Sequence, residues 1–196
     1  ELEETPFDLH TQNTARAVLI GINYKGQNGQ LRGCHNDVLR MKKYLVDHQG
    51  FYEHNILLLL DDGNHHRPTR QTILTALQQL VAQSMAGDVA VVHYSGHGGL
   101  LSPNWNRWKQ SLKVYDETVY PVDHARAGQI RDFSLFSHFV QPMPAGVRVT
   151  CVFDCCHSGA VLELPYSYQA TSATAIRSRR AMDSLSNLAL MYVMMG

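Results

Sequence analysis

The sequence lacks the features that typically mark membrane proteins and nucleic-acid-binding proteins. None of its apolar runs approaches the ~20 residues that a membrane-spanning helix needs. Lysine plus arginine and aspartate plus glutamate both number 17, so the formal net charge is zero, and the basic residues form no long patch. The chain has 196 residues, 44% of them apolar. Because this length and apolar fraction suffice for a sizeable core, we expect one compact domain.

Cysteine is scarce, with only Cys34, Cys151, Cys155 and Cys156. The absence of any C-x-x-C pattern argues against a zinc site and against a disulfide framework. A bridge between the adjacent Cys155 and Cys156 would be strained. Since no secretory signal is visible either, we expect a reducing, cytoplasmic environment.

Apolar runs alternate with amphipathic segments along the first three quarters of the chain. Buried strands are predicted at 17–22, 55–60, 88–94 and 147–154. One helix is predicted from an Asn36 cap to residue 48, ending at Gly50, and the next from a Thr69 cap to Gly87. Residues 112–123 resemble an antiparallel hairpin, and a short helix is expected near 132–140. This pattern indicates an α/β fold with a mostly parallel central sheet and helices on both faces.

Two polar stretches follow the third and fourth strands, "HYSGHGG" and "DCCHSG". The carboxyl ends of parallel strands meet at one edge of a sheet, where ligands and catalytic groups lie. A cysteine nucleophile needs a neighbouring base, which His97 can supply, and the amides of Gly98 and Cys156 can face a developing oxyanion. His93 lies inside the strand pattern, so we expect it to face the core.

Each part of this constellation also has a structural interpretation. A lone histidine in a glycine-rich loop is usually only a loop residue, and a lone cysteine at a strand end is usually a small apolar side chain. Gly96-x-Gly98 is an incomplete phosphate loop. The combination of both motifs at two strand ends favours nucleophilic chemistry, but it does not decide between Cys155 and Cys156.

These motifs carry a family resemblance. "HYSGHG" and "DCCHSG", together with "IGINY", "LRGCHNDV", "PTR", "YPVD" and "VFDCCHSG", resemble the metacaspases, the caspase-like cysteine peptidases of plants, fungi and protists. The resemblance implies a caspase-hemoglobinase fold and hydrolysis of peptide bonds. It implies that His97 is the general base and acid and that Cys156 is the nucleophile that forms the acyl-enzyme.

The resemblance also implies cleavage after Arg or Lys, with Cys34, Asp37, Ser95 and Asp154 as the residues of the specificity pocket. The physical chemistry agrees, because two carboxylates bind a guanidinium or ammonium group and repel an acidic side chain. Asp37 can equally serve as a first-turn acid that complements the helix dipole, and Asp154 as a solvated carboxylate at a strand end.

The chemistry itself needs no cofactor, but the resemblance implies activation by calcium. The candidate ligands are Asp132 and Glu163, which fall short of the about six to eight oxygens that calcium takes. The stretch "LLSPNWNRWKQSLK" at 100–113 contains no acid at all. Calcium dependence is therefore in doubt from the sequence.

We divide the chain into a polar N-terminal arm (1–14), a large-subunit catalytic domain (15–174), a basic linker (175–183) and an apolar tail (184–196). The linker is a candidate for self-processing after Arg177, Arg179 or Arg180. The tail is expected to complete the core or to pair with a small-subunit region in cis or in trans. We expect a monomer that acts on protein substrates and binds neither nucleic acid nor membrane; the alternative is a catalytically silent scaffold that binds a protein partner.

Overall fold

The computed structural model describes residues 14–102, 115–156 and 162, together with the backbone of three later strands. The strands are β1 (Ala15–Gly21), β2 (Ile56–Leu60), β3 (Val89–Ser95), β4 (Gly98–Leu101), β5 (Asp116–Val119), β6 (Ile130–Arg131), β7 (Arg148–Asp154), β8 (Tyr166–Ala170), β9 (Ile176–Arg180) and β10 (Met191–Met195). The helices are α1 (Cys34–Gln49), α2 (Arg70–Ala82), α3 (His124–Ala127) and α4 (Asp132–Leu135), with a 3-10 turn at Glu53–Asn55 and a π-helical turn at Phe136–Val140.

A five-stranded sheet in the order β10-β7-β3-β1-β2 forms the centre of the molecule, and all of its pairs are parallel. The predicted α/β class with a mostly parallel sheet is confirmed. The register pairs Gly21 of β1 with Ser95 of β3, and Ser95 in turn with Asp154 of β7. The carboxyl ends of these three strands therefore lie level at one edge of the sheet.

Successive strand residues point to opposite sides of the sheet, so both of its faces carry apolar side chains. Helices cover both faces. On one face, Val38 and Leu45 of α1 pack with Leu19 and Val91. On the other, α2 and the π-helical turn contribute to a second and larger cluster, in which Phe139 is 1% exposed. Across the described residues, no helix is both long and apolar enough to cross a bilayer.

The helix boundaries agree with the sequence at two caps and differ at two others. Gly50 ends α1 in the left-handed conformation at φ 72°, and the Thr69 side chain caps α2 by accepting a hydrogen bond from the Thr72 amide, both as predicted. However, α1 begins at Cys34, so that Asn36 lies within its first turn and is not the cap. The second helix ends at Ala82, because the chain from residue 83 to Asp88 turns instead, with Asp88 accepting the Met85 amide.

The strands outside the main sheet pair with one another in antiparallel fashion. Strands β4, β5 and β6 form a small three-stranded sheet. Of the hairpin or edge excursion predicted at 112–123, Asp116–Val119 forms β5, which pairs with β4 and β6, while residues 112–114 lie outside the described residues. The basic stretch at 175–183, expected as a loop, contains strand β9, which pairs with β8 in a two-stranded ribbon. Part of the apolar tail forms β10, which pairs with β7 at the edge of the main sheet.

A buried carboxylate ties the start of β3 to the start of β1. Asp88 is 4% exposed and accepts hydrogen bonds from the Thr14 amide at 2.8 Å, the Met85 amide at 3.1 Å and the Arg16 guanidinium at 2.9 Å. Burial alone would raise the pKa of Asp88, but these three donors outweigh it and lower the pKa below its ordinary value. The charged form is thus selectively stabilised by folding.

Replacing Asp88 by Asn should lower the free energy of unfolding by about 2 kcal/mol at neutral pH, since hydrogen bonds to a charged group are lost. Because the pKa is depressed in the folded chain, this contribution is complete above about pH 5 and is lost as the pH falls through the folded value. Urea unfolding of both proteins between pH 3 and pH 7 measures the difference. Asp47→Asn, at an exposed site on α1, is the matched control and should change little. A difference between Asp88→Asn and the parent that is constant over this range would contradict the account.

Candidate active site

The parallel register of β3 and β7 brings the two sequence motifs together. Ser95 and Asp154 are the last registered pair, and the Gly96 amide continues the ladder by donating to the Asp154 carbonyl at 3.4 Å. His97 and Cys156 each follow two residues later. Because neighbouring strands lie about 4.8 Å apart, the two residues are delivered to adjacent positions at the same edge of the sheet.

The two loops touch at Gly98. A Cβ atom at this position would overlap the carbonyl oxygen of Cys156 and would lie 3.1 Å from the Sγ atom of Cys155. Only glycine allows the backbones to approach this closely. The structure therefore places together the two residues, Gly98 and Cys156, whose amides are the predicted oxyanion donors.

The His97 imidazole is held by a contact that sequence reasoning missed. Its Nε2 atom lies 2.5 Å from the carbonyl oxygen of Gly29, in the loop between β1 and α1. Since a carbonyl only accepts, Nε2 carries the proton in this contact, which leaves Nδ1 of the neutral ring as the acceptor. The only signal in the sequence was the polar, glycine-bearing loop that follows β1 at the same sheet edge.

The two adjacent thiols have different environments. Cys155 is half-buried against the core, and burial, followed by the neighbouring Cys156 sulfur and the Asp154 carboxylate, raises its pKa to about 12. Cys156 is exposed at the end of the loop. The raised pKa keeps the Cys155 thiol protonated at neutral pH, whereas Cys156 is accessible to a substrate.

The four residues expected to form a specificity pocket converge on the α1 face of the sheet, near His97 and Cys156. Ser95 donates a hydrogen bond to the Asp37 carboxylate at 3.1 Å. The Cys34 thiol contacts Ser95, and its pKa is raised by burial and further by the negative charges of Asp37 and Asp154. Asp154 is exposed and lies next to Ser95 in the register. Two carboxylates, a hydroxyl and a thiol thus share one end of the sheet.

His93 lies two residues below Ser95 on the same face of β3. It is 3% exposed, as expected for a core-facing residue, and its Nδ1 atom has no hydrogen-bond partner among the described residues. Burial lowers the pKa of His93, against the opposing influence of Asp154 and Asp37. The side chain beneath the two carboxylates is consequently neutral at physiological pH.

Of the two predicted calcium ligands, only Asp132 lies within the described residues. Asp132 is fully buried at the start of α4, where its carboxylate accepts the Phe133 amide at 2.6 Å. Glu163 lies outside the described residues. Over the part of the chain that the structure describes, no group of three or more acidic, histidine or cysteine side chains could hold a metal ion. Arg177, Arg179 and Arg180 lie in β9 by their backbone.

Comparison with known proteins identifies a family for most of the chain. Residues 15–165 match the family described as metacaspase, peptidase C14 domain. The chain is 46% identical over 158 residues to metacaspase III c of Phaeodactylum tricornutum, covering 80% of this chain and 46% of that protein. It is 41% identical over 159 residues to metacaspase-1 of Schizosaccharomyces pombe, covering 80% and 37% respectively.

Solved structures show the same architecture. The crystal structure of protein GSU0716 from Geobacter sulfurreducens superimposes with a TM-score of 0.58 at 27% sequence identity, covering 76% of this chain and 53% of that one. The chain spans less than half the length of the two curated relatives that it matches. The region that matches the family, residues 15–165, includes both strand-end motifs and all four residues of the candidate pocket.

Proposed function

The chain belongs to the metacaspase family, and on that premise we propose that it is a cysteine endopeptidase that cleaves after Arg or Lys. The observation that carries the proposal is the level pairing of Ser95 with Asp154, which delivers a histidine and a cysteine to adjacent strand ends. A binding scaffold would gain nothing from that dyad.

In the proposed mechanism, Nδ1 of His97 takes the proton of the Cys156 thiol as the sulfur attacks the carbonyl carbon of the scissile bond. The negative charge that develops on the carbonyl oxygen is stabilised by the amides of Gly98 and Cys156. His97 then returns the proton to the leaving amine. Water, activated by the same imidazole, hydrolyses the acyl-enzyme and regenerates the thiol.

The difference between the two thiols supports Cys156 as the nucleophile. Cys155 is half-buried with a pKa raised to about 12, so it holds its proton at neutral pH. Cys156 is exposed, so a substrate can reach its sulfur. Gly29 contributes by holding Nε2 of His97, so that the opposite nitrogen is available for proton transfer.

Charge supports the proposed specificity. Asp37 and Asp154 lie on the same side of the sheet end, and Ser95 holds Asp37 in place by its hydroxyl hydrogen bond. A guanidinium or ammonium group entering here gains charge-assisted hydrogen bonds, whereas a carboxylate is repelled. Because burial lowers the pKa of His93, its neutral ring adds no positive charge beneath the two carboxylates.

A reporter peptide ending in Arg or Lys should be hydrolysed, while the matched peptide ending in Asp should not, and Cys156→Ala should abolish the activity. Asp37→Asn should lower kcat/KM for the Arg reporter about 10- to 100-fold, because one charged hydrogen bond to the substrate is lost. Asp47→Asn, on the same helix but exposed at its far end, is the matched control and should leave kcat/KM unchanged. Efficient hydrolysis after Asp would refute the assigned specificity.

We propose that catalysis does not depend on calcium. The Asp132 carboxylate is fully buried and already accepts a backbone amide, and the acid-free stretch at 100–113 offers no side-chain carboxylate. Hydrolysis of the Arg reporter should proceed at the same rate in chelator and in millimolar calcium, and the thermal midpoint should not move. A rate that collapses in chelator and returns with calcium would show that an activating site exists.

We also propose that the peptidase cuts its own chain within β9. Arg177, Arg179 and Arg180 are residues that a basic-specific peptidase recognises, but the ladder with β8 must open before the chain can enter an active site. Intact-mass spectrometry of the purified protein should find fragments that end at one of these arginines, and Cys156→Ala should remain uncut. Processing that persists in Cys156→Ala would assign the cut to another protease.

A further inference from the structure

Two buried tyrosines hold the main chain of His97 on both sides. The His97 amide donates to the Oη atom of Tyr24 at 3.0 Å, and the Oη atom of Tyr94 donates to the His97 carbonyl at 2.8 Å. Tyr24 and Tyr94 are 0% and 1% exposed. The position of His97 is thus determined by a side chain from the loop between β1 and α1 and by a side chain from β3, the strand that precedes it.

Hydrogen bonds connect the two hydroxyls with each other and with the backbone of His97 and Tyr120. Tyr24 donates its single hydroxyl proton to the Tyr120 carbonyl at 2.7 Å, and Tyr94 uses its own on His97. The Tyr120 amide in turn donates to the His97 carbonyl at 3.1 Å. Burial raises the pKa of both phenols, so they remain neutral donors. Removing the Tyr24 hydroxyl would leave the His97 amide without its acceptor.

The Tyr24 ring also contacts the imidazole directly. The two ring centroids lie 4.7 Å apart at an angle of 32°. Tyr24 has a φ of 51°, and among the described residues it is the only one other than glycine in the left-handed region. A bulky residue adopts this conformation only when its surroundings enforce it. The same loop carries the Gly29 carbonyl that contacts Nε2 of His97, so one loop contacts both the ring face and the ring edge.

Gly96 gives independent support, because it makes room for the hydroxyl pair. A Cβ atom at this position would lie 2.7 Å from the Oη atom of Tyr94 and 3.0 Å from that of Tyr24. The first glycine of "SGHGG" is therefore required by the tyrosines, just as Gly98 is required by the Cys156 carbonyl. The residue directly before His97 is thus one whose missing side chain leaves room for the two hydroxyls.

We propose that Tyr24 is a positioning residue for catalysis: its hydroxyl fixes the backbone of His97, its ring fixes the plane of the imidazole, and Tyr94 supports it from the opposite side. The inference rests on the proposed function, since it assigns these tyrosines a role in the proton transfer between His97 and Cys156. Neither tyrosine touches the specificity pocket residues through any of these contacts.

Steady-state hydrolysis of the Arg reporter by Tyr24→Phe and Tyr24→Leu tests the proposal. Tyr24→Phe keeps the ring and should lower kcat about tenfold with KM unchanged, because the His97 amide loses its acceptor. Tyr24→Leu also removes the ring that contacts the imidazole and should lower kcat about tenfold further, again without a change in KM. Thermal unfolding of each variant shows the folded fraction at the assay temperature, to which kcat is normalised.

Tyr52 provides a matched control, since it is 67% exposed and stacks on His54 with centroids 5.5 Å apart, far from the dyad. Tyr52→Phe and Tyr52→Leu should leave kcat and KM unchanged. The proposal is overturned if both Tyr24 variants retain the parent kcat per folded molecule, even when their melting temperatures fall, because that result means a purely structural role. An inactive parent protein would instead reject the proposed function, before any variant is compared.

Discussion

The register between β3 and β7 is the constraint on which the rest of the site depends. Ser95 pairs with Asp154, so the residues two positions further along each strand are neighbours. A slip of one residue would move one strand by about 3.3 Å and turn its side chains to the opposite face of the sheet. Burial prevents this slip, because Tyr94 and Phe153 face one cluster while Val91 faces the other. The packing of the core thereby places the dyad.

The loop between β1 and α1 supplies what these two strands cannot. It carries the ring and hydroxyl of Tyr24 and the carbonyl of Gly29, both directed at His97. Asp61, directly after β2, holds this loop by accepting the Asn23 amide at 2.8 Å, and it also pairs with His35 of α1 at 2.6 Å. The carboxyl ends of four parallel strands thus contribute to one site, as expected for an open parallel sheet. Desolvation then separates the chemical roles, since it keeps Cys155 protonated while Cys156 remains exposed.

Hydrophobic pattern and motif position were sufficient to predict the sheet and the pairing of the two motif-bearing strand ends. Continuous apolar runs predicted the strands, and Thr69 and Gly50 marked helix ends correctly because capping is a local interaction. The start of α1 was misplaced, because Gly33 provides no side-chain cap to be recognised. The roles of Gly29 and Tyr24 could not be predicted, since each depends on a contact with His97 from about 70 positions away, and Tyr94 meets Tyr24 across a similar separation. Strand β9 was taken for a loop because its charged residues obscure any apolar alternation.

The central claim is that His97 acts directly on the sulfur of Cys156. Its most direct test is the rate at which a peptidyl chloromethyl ketone ending in Arg labels the protein at pH 7, with the labelled residue identified by peptide mass mapping. The account predicts stoichiometric labelling at Cys156 and not at Cys155, and a rate about 10²- to 10⁴-fold lower in His97→Gln. Equal rates in the two proteins, or labelling of Cys155 in preference to Cys156, would contradict it.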